Sequence, residues 1–346
     1  MYYQPAIEII RGEIVESIHQ AAVAVSDPEG SLIASWGSPE TTTYMRSSAK
    51  PFQVLPLLER GGASYYDLSL QEIAVMCSSH SGTDSHVNTV ISIQEKVGIS
   101  EGDLLCGVHP PTDVETADRL KKGGLEPTPN RHNCSGKHSG MLALARLIGA
   151  PLDDYILPEH PVQGLILKAV GEMCGLDVQE IQQGVDGCSV PTFAVPLKSA
   201  AMAFARLADP RNLPGPRAEA CRTVWQAMTT HPDMVAGSGR FDTVLMDAAN
   251  GIILTKGGAE GYQGIAIAPG ALGDGSPALG IALKIADGDH VGRARSVVAL
   301  KVLDDLGLLS KFRRDSLSPY HFREVLNWRG IRVGEIRSCF DLEVWT

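Results

Sequence analysis

A serine and a lysine stand three residues apart in the segment Arg46-Ser47-Ser48-Ala49-Lys50. Side chains three apart share one face of a helix, so Ser47 and Lys50 are expected to be neighbours, whereas Ser48 faces away. A lysine that burial or a nearby cation keeps neutral can take the hydroxyl proton and make the serine nucleophilic. The spacing predicts a Ser-Lys pair with Ser47 as the nucleophile, but so short a motif is more often an exposed helical turn.

Two later segments supply partners for such a pair. Ser79 lies in the loop-like stretch 77–82, after the apolar residues 73–76, and Lys256 follows an apolar run and precedes two glycines. Each alone is more simply a turn or a solvated hairpin lysine. In this order, the three segments resemble the plan of serine β-lactamases and penicillin-binding proteins. The residues at 79–81, Ser-His-Ser in place of Ser-Asp-Asn, argue against β-lactam hydrolysis and are compatible with a related amidohydrolase.

Two glycine-flanked stretches hold a further cluster of reactive side chains. Cys134 and His138 lie in the first stretch, and Asp186 and Cys188 lie in the second. Thiolate, imidazole and carboxylate groups are zinc ligands, although the paired spacing of structural zinc sites is missing. Two buried thiols are an equally good interpretation. A third is a nucleophilic thiolate, Cys134 or Cys188, assisted by His138.

Composition excludes several classes of protein. The chain of 346 residues has a formal net charge of −10 and no run of lysines or arginines, so nucleic acid and anionic membrane surfaces are not expected partners. No apolar stretch has the length of a membrane span. The first residues lack the basic-then-apolar pattern of an export signal, and the seven cysteines are odd in number and scattered. We therefore expect a cytoplasmic protein with reduced thiols.

The elements that must position these residues are strands near both ends of the chain and helices between them. Apolar runs predict two hairpins, one from 19–26 and 31–37 and one from 251–255 and 262–268. A helix is expected from the Ser47 segment through residue 58. Further helices are predicted at 139–148, 161–173, 197–207, 217–229, 277–285 and 293–306. The stretch 106–136, rich in Pro, Gly and His, is the longest predicted loop.

This order of elements predicts a layered α/β protein. Because the strands lie near both ends, the sheet must be closed by pairing between distant parts of the chain. The length allows one large domain or two intimately packed ones, and a hydrophobic fraction of 44% gives an ample core.

Six segments spread over nearly the whole chain resemble the rhizobial-type L-asparaginases, the asparaginase II family. They are residues 46–53, 77–82, 132–140, 186–191, 231–237 and 327–330, in this order. The resemblance implies one catalytic domain over residues 1–346 with an αβα fold similar to that of serine β-lactamases and glutaminases, in which helices flank a mixed sheet. It also implies a homodimer.

By this resemblance, two linked Ser-Lys pairs carry the reaction, Ser47 with Lys50 and Ser79 with Lys256. Ser47 would attack the side-chain amide of L-asparagine and release ammonia, leaving a β-aspartyl ester that water cleaves. Lys50 would act as the general base and Ser79 as a proton relay, while the charge of Lys256 lowers the pKa of its neighbours.

The resemblance also implies substrate and metal contacts. Arg46 is a candidate partner for the substrate α-carboxylate, because a guanidinium binds a carboxylate through two hydrogen bonds. His138 would face the substrate, with Asp186 beside it. The zinc ligands that it implies are Cys134, Lys137 and Cys188. Lysine is an unusual ligand, since it must lose a proton from an ordinary pKa of ~10.4.

The resulting hypothesis is an L-asparaginase with a bound Zn²⁺ that tunes substrate affinity. A glutaminase or broader amidase of the same architecture is the nearest alternative, because one methylene discriminates between substrates by only ~1–3 kcal/mol. A zinc-binding homologue without catalytic activity is a second alternative of a different class.

Overall fold

Strands lie near both ends of the chain and helices fill its middle, as the sequence predicts. The computed structural model describes residues 2–321 and 323–344. The strands are β1 (Gln4–Arg11), β2 (Ile14–Ser26), β3 (Leu32–Trp36), β4 (Thr42–Tyr44), β5 (Gln182–Val185), β6 (Pro191–Pro196), β7 (Ile253–Gly258), β8 (Tyr262–Ile267), β9 (Leu279–Ile285), β10 (Arg323–Leu326), β11 (Arg332–Ser338) and β12 (Glu343–Val344).

Most of the helices fall between β4 and β7. They are α1 (Lys50–Gln53), α2 (Leu55–Glu59), α3 (Gly62–Tyr65), α4 (Leu70–Met76), α5 (Asp84–Val97), α6 (Val114–Lys122), α7 (Ser135–Leu147), α8 (Pro161–Cys174), α9 (Leu197–Ala208), α10 (Gly215–Thr230), α11 (Pro232–Val235), α12 (Phe241–Ala249), α13 (Arg295–Asp305) and α14 (Arg314–His321). None of the helices in the described part of the chain is long and apolar enough to cross a bilayer.

The chain divides into two compact units, each built from separate stretches. The sheet unit contains the described residues up to Ser48, Val195–Asp209 and the described residues from Val244 onward. The helical unit contains Ala49–Ala194 and Pro210–Thr243. The expectation of a single catalytic domain over residues 1–346 stays a prediction.

The sheet unit is built on strands in the order β10-β11-β1-β2-β9-β8-β7, with β3 on β2 and β12 on β3. The two ends of the chain pair directly, since Ile7 of β1 lies opposite Ser338 of β11. The predicted non-local closure is therefore confirmed, and so are both predicted hairpins, β2 with β3 and β7 with β8.

The α/β class is confirmed, but the strand directions differ from the mixed sheet that was expected. Every described ladder of the large sheet is antiparallel. Short turns join β1 to β2 and β7 to β8, and such connections permit only antiparallel pairing.

The helix predicted at 277–285 is wrong, because these residues form β9 between β2 and β8. The strand is buried along its whole length, and a fully buried apolar run has no period that separates strand from helix. Gly280 shows how closely this strand is packed, because a Cβ there would overlap the carbonyl oxygen of Ala201 on α9. The backbone of α9 therefore packs directly on the sheet at this point.

The structure departs from the predicted elements in two further places. The predicted helix through residue 58 is divided into a 3₁₀ turn (Arg46–Ala49), α1 and α2. Pro51 and Pro56 each occupy the first turn of a new helix, where a missing backbone N–H does no harm. The stretch 106–136, predicted as a loop, contains α6, whose first turn is capped by the side chain of Asp113.

Candidate active site

Lys50 and Ser79 form a buried pair in the helical unit. The Lys50 amine lies 3.0 Å from Ser79 Oγ, and it donates to the carbonyl oxygens of Ser78 at 2.5 Å and Asn133 at 3.3 Å. Lys50 is only 1% exposed and Ser79 7%. A hydroxyl held against a buried amine is the arrangement that proton transfer between the two groups requires.

The loop that carries Ser79 is fixed on both sides. It follows α4, whose start is closed by reciprocal hydrogen bonds between Ser69 and Glu72. On the other side, the backbone N–H of Ser79 donates to Val235 O at 2.9 Å, and the hydroxyl of Ser81 donates to Ala236 O at 2.7 Å. The segment 231–237, one of the six that carry the family resemblance, thus holds the Ser79 loop in place through these two hydrogen bonds.

Gly237 and Arg240 also hold the Ser79 loop in place. Gly237 has a φ of +129°, and a Cβ there would lie 2.5 Å from Ser81 Oγ, so no side chain fits. Arg240 donates from Nη1 to the carbonyl oxygen of Ser79 at 3.3 Å. Arg240 therefore helps to position the Ser79 loop, a role that its sequence context does not predict.

His80 ties the Ser79 loop to the start of α7. Gly82 N donates to Nδ1 of His80 at 3.1 Å, so Nε2 carries the proton and contacts Ser135 Oγ at 2.8 Å. Burial, together with the nearby His86 and Lys50, lowers the pKa of His80 well below its ordinary value. His80 therefore links the Ser79 loop to α7 through both ring nitrogens and the neighbouring backbone, and its lowered pKa favours the neutral ring.

The sheet unit holds Ser47, Ser48 and Lys256. The hydroxyl of Ser48 is fully buried and donates to the carbonyl oxygen of Lys256 at 2.6 Å. Ser47 is half-buried, and its hydroxyl makes no hydrogen bond within the part of the chain that the structure describes. Of the two adjacent serines, only Ser47 has a hydroxyl not committed to the backbone.

Lys256 lies within β7 and not at its end, because the strand continues to Gly258. It is 1% exposed, and its amine donates to Gly257 O at 2.7 Å. The interpretation as a solvated hairpin lysine is therefore wrong. A Cβ on Gly258 would lie 2.6 Å from Met45 O, so this glycine lets the strand approach the segment before Ser47.

Arg46 begins the 3₁₀ turn with a φ of +51°, a left-handed conformation uncommon outside glycine. Such a conformation costs of order 1–3 kcal/mol and is found most often at functional sites. The half-buried Arg46 is thus consistent with the substrate-binding role that the sequence assigns to it.

The predicted zinc ligands come together in the helical unit. Lys137 and Cys134 lie at the start of α7, and Cys188 lies in the turn between β5 and β6. The Lys137 amine is 2.8 Å from Cys188 Sγ, and Cys188 Sγ is 3.7 Å from an oxygen of Asp186. All three predicted ligands are less than 5% exposed.

The two thiols affect each other's pKa in opposite directions. A hydrogen bond from Cys188 lowers the pKa of Cys134 well below its ordinary value, with help from the charges of Lys50 and Lys137 and against the effect of burial. The same hydrogen bond and burial raise the pKa of Cys188. Burial alone would lower the pKa of Lys137, but the two thiols and Asp186 outweigh it and raise the pKa.

This donor set fits a three-ligand zinc site. Two thiolates are donors that zinc prefers, whereas a deprotonated lysine amine is an unusual nitrogen donor. Three such ligands would leave one of zinc's usual four positions for water or substrate. Among the described residues, no three His, Cys, Asp or Glu side chains are grouped to hold a metal, so a site with three protein ligands here would need Lys137 as the third. Its proton must leave when the metal binds.

His138 and Tyr155 form a further buried pair, and the sequence gave no signal of Tyr155. The Tyr155 hydroxyl lies 2.6 Å from Nδ1 of His138, and both side chains are fully buried. Burial, together with Lys137, lowers the pKa of His138 well below its ordinary value.

Comparisons with known proteins identify the family of this chain. A model of the L-asparaginase II family matches residues 7–338. No curated protein matches at a significant level. Similar solved structures include a probable glutaminase from Bacillus subtilis complexed with 6-diazo-5-oxo-L-norleucine (12% identity, 84% of each chain covered, TM-score 0.40). A Bacillus glutaminase in 4.3 M NaCl is another (11% identity, 84% of this chain and 91% of that chain, TM-score 0.40).

The protein is an amidohydrolase, as a family match over nearly the whole chain establishes. Within that class, the chain belongs to the L-asparaginase II family. The family predicted from the sequence is thereby confirmed.

Proposed function

We propose that the protein hydrolyses L-asparagine to L-aspartate and ammonia through a Ser-Lys acyl-enzyme mechanism. Membership of the L-asparaginase II family supports the substrate. The observation that carries the mechanism is the buried contact of 3.0 Å between the Lys50 amine and Ser79 Oγ. This contact supports the proposal because a lysine that acts as a base must lie within hydrogen-bonding distance of a hydroxyl.

In the first half of the reaction, Ser47 Oγ attacks the side-chain amide carbon of asparagine. The hydroxyl proton passes to Lys50, with Ser79 as the relay, and then to the departing nitrogen, so that the C–N bond breaks and ammonia leaves. In the second half, water attacks the β-aspartyl ester and gives up a proton by the same route. The ester C–O bond breaks, Ser47 regains its proton and L-aspartate is released.

The remaining residues bind and polarise the substrate in this proposal. Arg46 pairs with the α-carboxylate, and His138 and Asp186 contact the polar groups of the amino acid. The buried amine of Lys256 contributes positive charge that favours the ionised states of neighbouring groups.

Cys134, Lys137 and Cys188 would hold a zinc ion. When bound, the ion supplies a fixed positive charge that strengthens substrate binding. Zinc analysis of protein purified without chelator tests this role, with Cys188→Ser as the variant and Cys221→Ser as the control, since Cys221 is a buried thiol on α10. We expect near one zinc per chain in the wild type and in the control. Less than about half a zinc per wild-type chain would contradict the ligand set.

The nucleophile is tested by comparing Ser47→Ala with Ser48→Ala. Ser47→Ala should abolish ammonia release and the β-aspartyl adduct seen by mass spectrometry after rapid acid quench. Ser48→Ala removes the buried hydrogen bond from Ser48 to the Lys256 carbonyl, so it should lower stability by about 1–3 kcal/mol yet still form the adduct. Turnover retained by Ser47→Ala would contradict the mechanism.

A glutaminase or broader amidase is the alternative within the same chemistry. Ammonia release from L-asparagine and L-glutamine decides between them through the ratio of kcat/KM. A preference for glutamine would overturn the proposed substrate and leave the mechanism in place. Absence of ammonia release from every amide would favour the zinc-binding homologue without activity.

The homodimer and the cytoplasmic location implied by the sequence are also proposals. Light scattering of the purified protein tests the first, and cell fractionation tests the second.

A further inference from the structure

The hydroxyl of Tyr155 has two hydrogen-bonding neighbours. The backbone N–H of Leu105 donates to it at 2.9 Å, and Nδ1 of His138 lies 2.6 Å away. The rings of Tyr155 and His138 are almost perpendicular, at 79°, with centroids 5.5 Å apart. Both side chains are completely buried.

The donor and the acceptor in the hydrogen bond between Tyr155 and His138 follow from the other hydrogen bond of the phenol oxygen. Leu105 uses one lone pair of the phenol oxygen, and the phenol O–H needs an acceptor. In the part of the chain that the structure describes, the only acceptor beside it is Nδ1 of His138. Burial raises the pKa of Tyr155, so the phenol keeps its proton. Tyr155 therefore donates, Nδ1 accepts, and the ring proton of neutral His138 is on Nε2.

The proton on Nε2 has no acceptor in the described chain. This nitrogen is buried and has no partner among the described residues, and leaving such a donor unsatisfied is unfavourable. His138 also lies next to Lys137 on α7, among the residues assigned to the site. A bound molecule with an oxygen acceptor would satisfy Nε2.

We propose that Tyr155 is a positioning residue that fixes His138 in the tautomer with the proton on Nε2, so that His138 donates a hydrogen bond to an oxygen of the bound substrate. The donation to substrate rests on the proposed function, whereas the choice of tautomer does not. Without the phenol proton, neither tautomer of His138 is favoured, and the donor is present for only part of the time.

The kinetic test compares Tyr155→Phe with Tyr66→Phe. Tyr66 is the matched control, because its buried hydroxyl donates to Ala143 O on the same helix, α7, without touching His138. Each variant loses one buried hydrogen bond, so both should lose similar stability. Only Tyr155→Phe should raise the KM for L-asparagine, by about threefold to tenfold, with little change in kcat. Equal KM values in the two variants would overturn the role in substrate binding.

The tautomer itself is read from ¹⁵N chemical shifts of the histidine rings in protein without substrate. The signal of His138 is identified by its loss in His138→Gln. We expect Nε2 protonated in the wild type and in Tyr66→Phe, and a mixture of tautomers in Tyr155→Phe. The same tautomer in all three would overturn the inference. A wild type that hydrolyses no asparagine would instead overturn the proposed function and the substrate contact, while the shifts still decide the positioning role.

Discussion

The amine of Lys50 contacts two kinds of partner. The carbonyls of Ser78 and Asn133 only accept hydrogen bonds, whereas the hydroxyl of Ser79 both donates and accepts. An ammonium donates to all three, and a neutral amine donates to the carbonyls and accepts from the hydroxyl. The same geometry thus suits Lys50 before and after proton transfer. A site preorganised in this way needs no rearrangement during the reaction.

Replacing Lys50 by methionine should remove the base and leave the fold intact. We expect kcat to fall by about 10²–10⁴, the usual contribution of general acid–base catalysis. Lys284→Met is the control, because Lys284 is also buried and donates to a backbone carbonyl, that of Ile285 at 2.5 Å. Ammonia release under saturating asparagine measures the effect. A kcat for Lys50→Met within tenfold of the control would exclude Lys50 as the base.

The sequence predicts part of this site because some residues carry their chemistry in local spacing. The separation of Ser47 and Lys50 indicates a pair without any knowledge of the fold. Tyr155 has no such signal, since its role depends on one hydroxyl that the fold brings to His138 from 17 residues away. Lys137 was assigned only by family resemblance, because an ordinary lysine is a cation and a poor ligand.

Helix α4 determines where Ser79 lies, and Glu72 stabilises this helix. Its carboxylate accepts from Ser69 N at 2.6 Å, Ser92 Oγ at 2.7 Å and Lys96 Nζ at 2.8 Å, which joins α4 to α5. Burial raises the pKa of Glu72, but these hydrogen bonds outweigh it and the pKa is lowered. The ionised carboxylate therefore stabilises the folded state.

Glu72→Gln should lower the free energy of unfolding by about 1–3 kcal/mol near neutral pH. The folded pKa is below the unfolded value of about 4.3, so the stabilisation is fully present above that pH and is lost as pH falls through the folded pKa. The gap between wild type and variant should therefore shrink in acid. Urea unfolding across this pH range measures it, with the exposed Glu95→Gln on α5 as control. A gap that is independent of pH would contradict the assignment.

Elements with a local signal were predicted more accurately than elements defined by their neighbours. The helices at 161–173 and 197–207 match α8 and α9 within one residue at each end. Residues 277–285 were mistaken for a helix because β9 is buried by α9 and two strands, and none of these partners is visible in the local pattern. The predicted loop at 106–136 contains α6, whose capping residue Asp113 was overlooked among prolines and glycines.

At the scale of the whole molecule, the chain is organised by contacts between residues far apart in sequence. Strands β1 and β11, from opposite ends of the sequence, pair with each other. Along the sequence, the two stretches of the helical unit alternate with the three stretches of the sheet unit. Such pairing requires the closing of a long loop, whose entropy cost precedes the contacts that stabilise it. The order of strands and helices along the sequence made this closure predictable, whereas the register was not.

The register between β1 and β11 depends on Gly334, which lies opposite Arg11. A Cβ at this position would overlap the carbonyl oxygen of Ile10, and a backbone atom within a ladder cannot move aside cheaply. Gly334→Ala should therefore destabilise the protein by about 1–3 kcal/mol. It should also open the pairing between the two ends of the chain before other parts of the sheet.

Gly164→Ala is the matched control, because a Cβ on Gly164 of α8 meets nothing within 4 Å. Both substitutions reduce the entropy of the unfolded chain alike, but Gly164→Ala also improves a helix and should stabilise by about 0.5–1 kcal/mol. Hydrogen exchange followed by mass spectrometry separates the two effects by region. Peptides covering β1 and β11 should exchange faster only in Gly334→Ala, because the steric conflict acts on their shared ladder. Unchanged exchange in those peptides would show that the ends do not depend on this close approach.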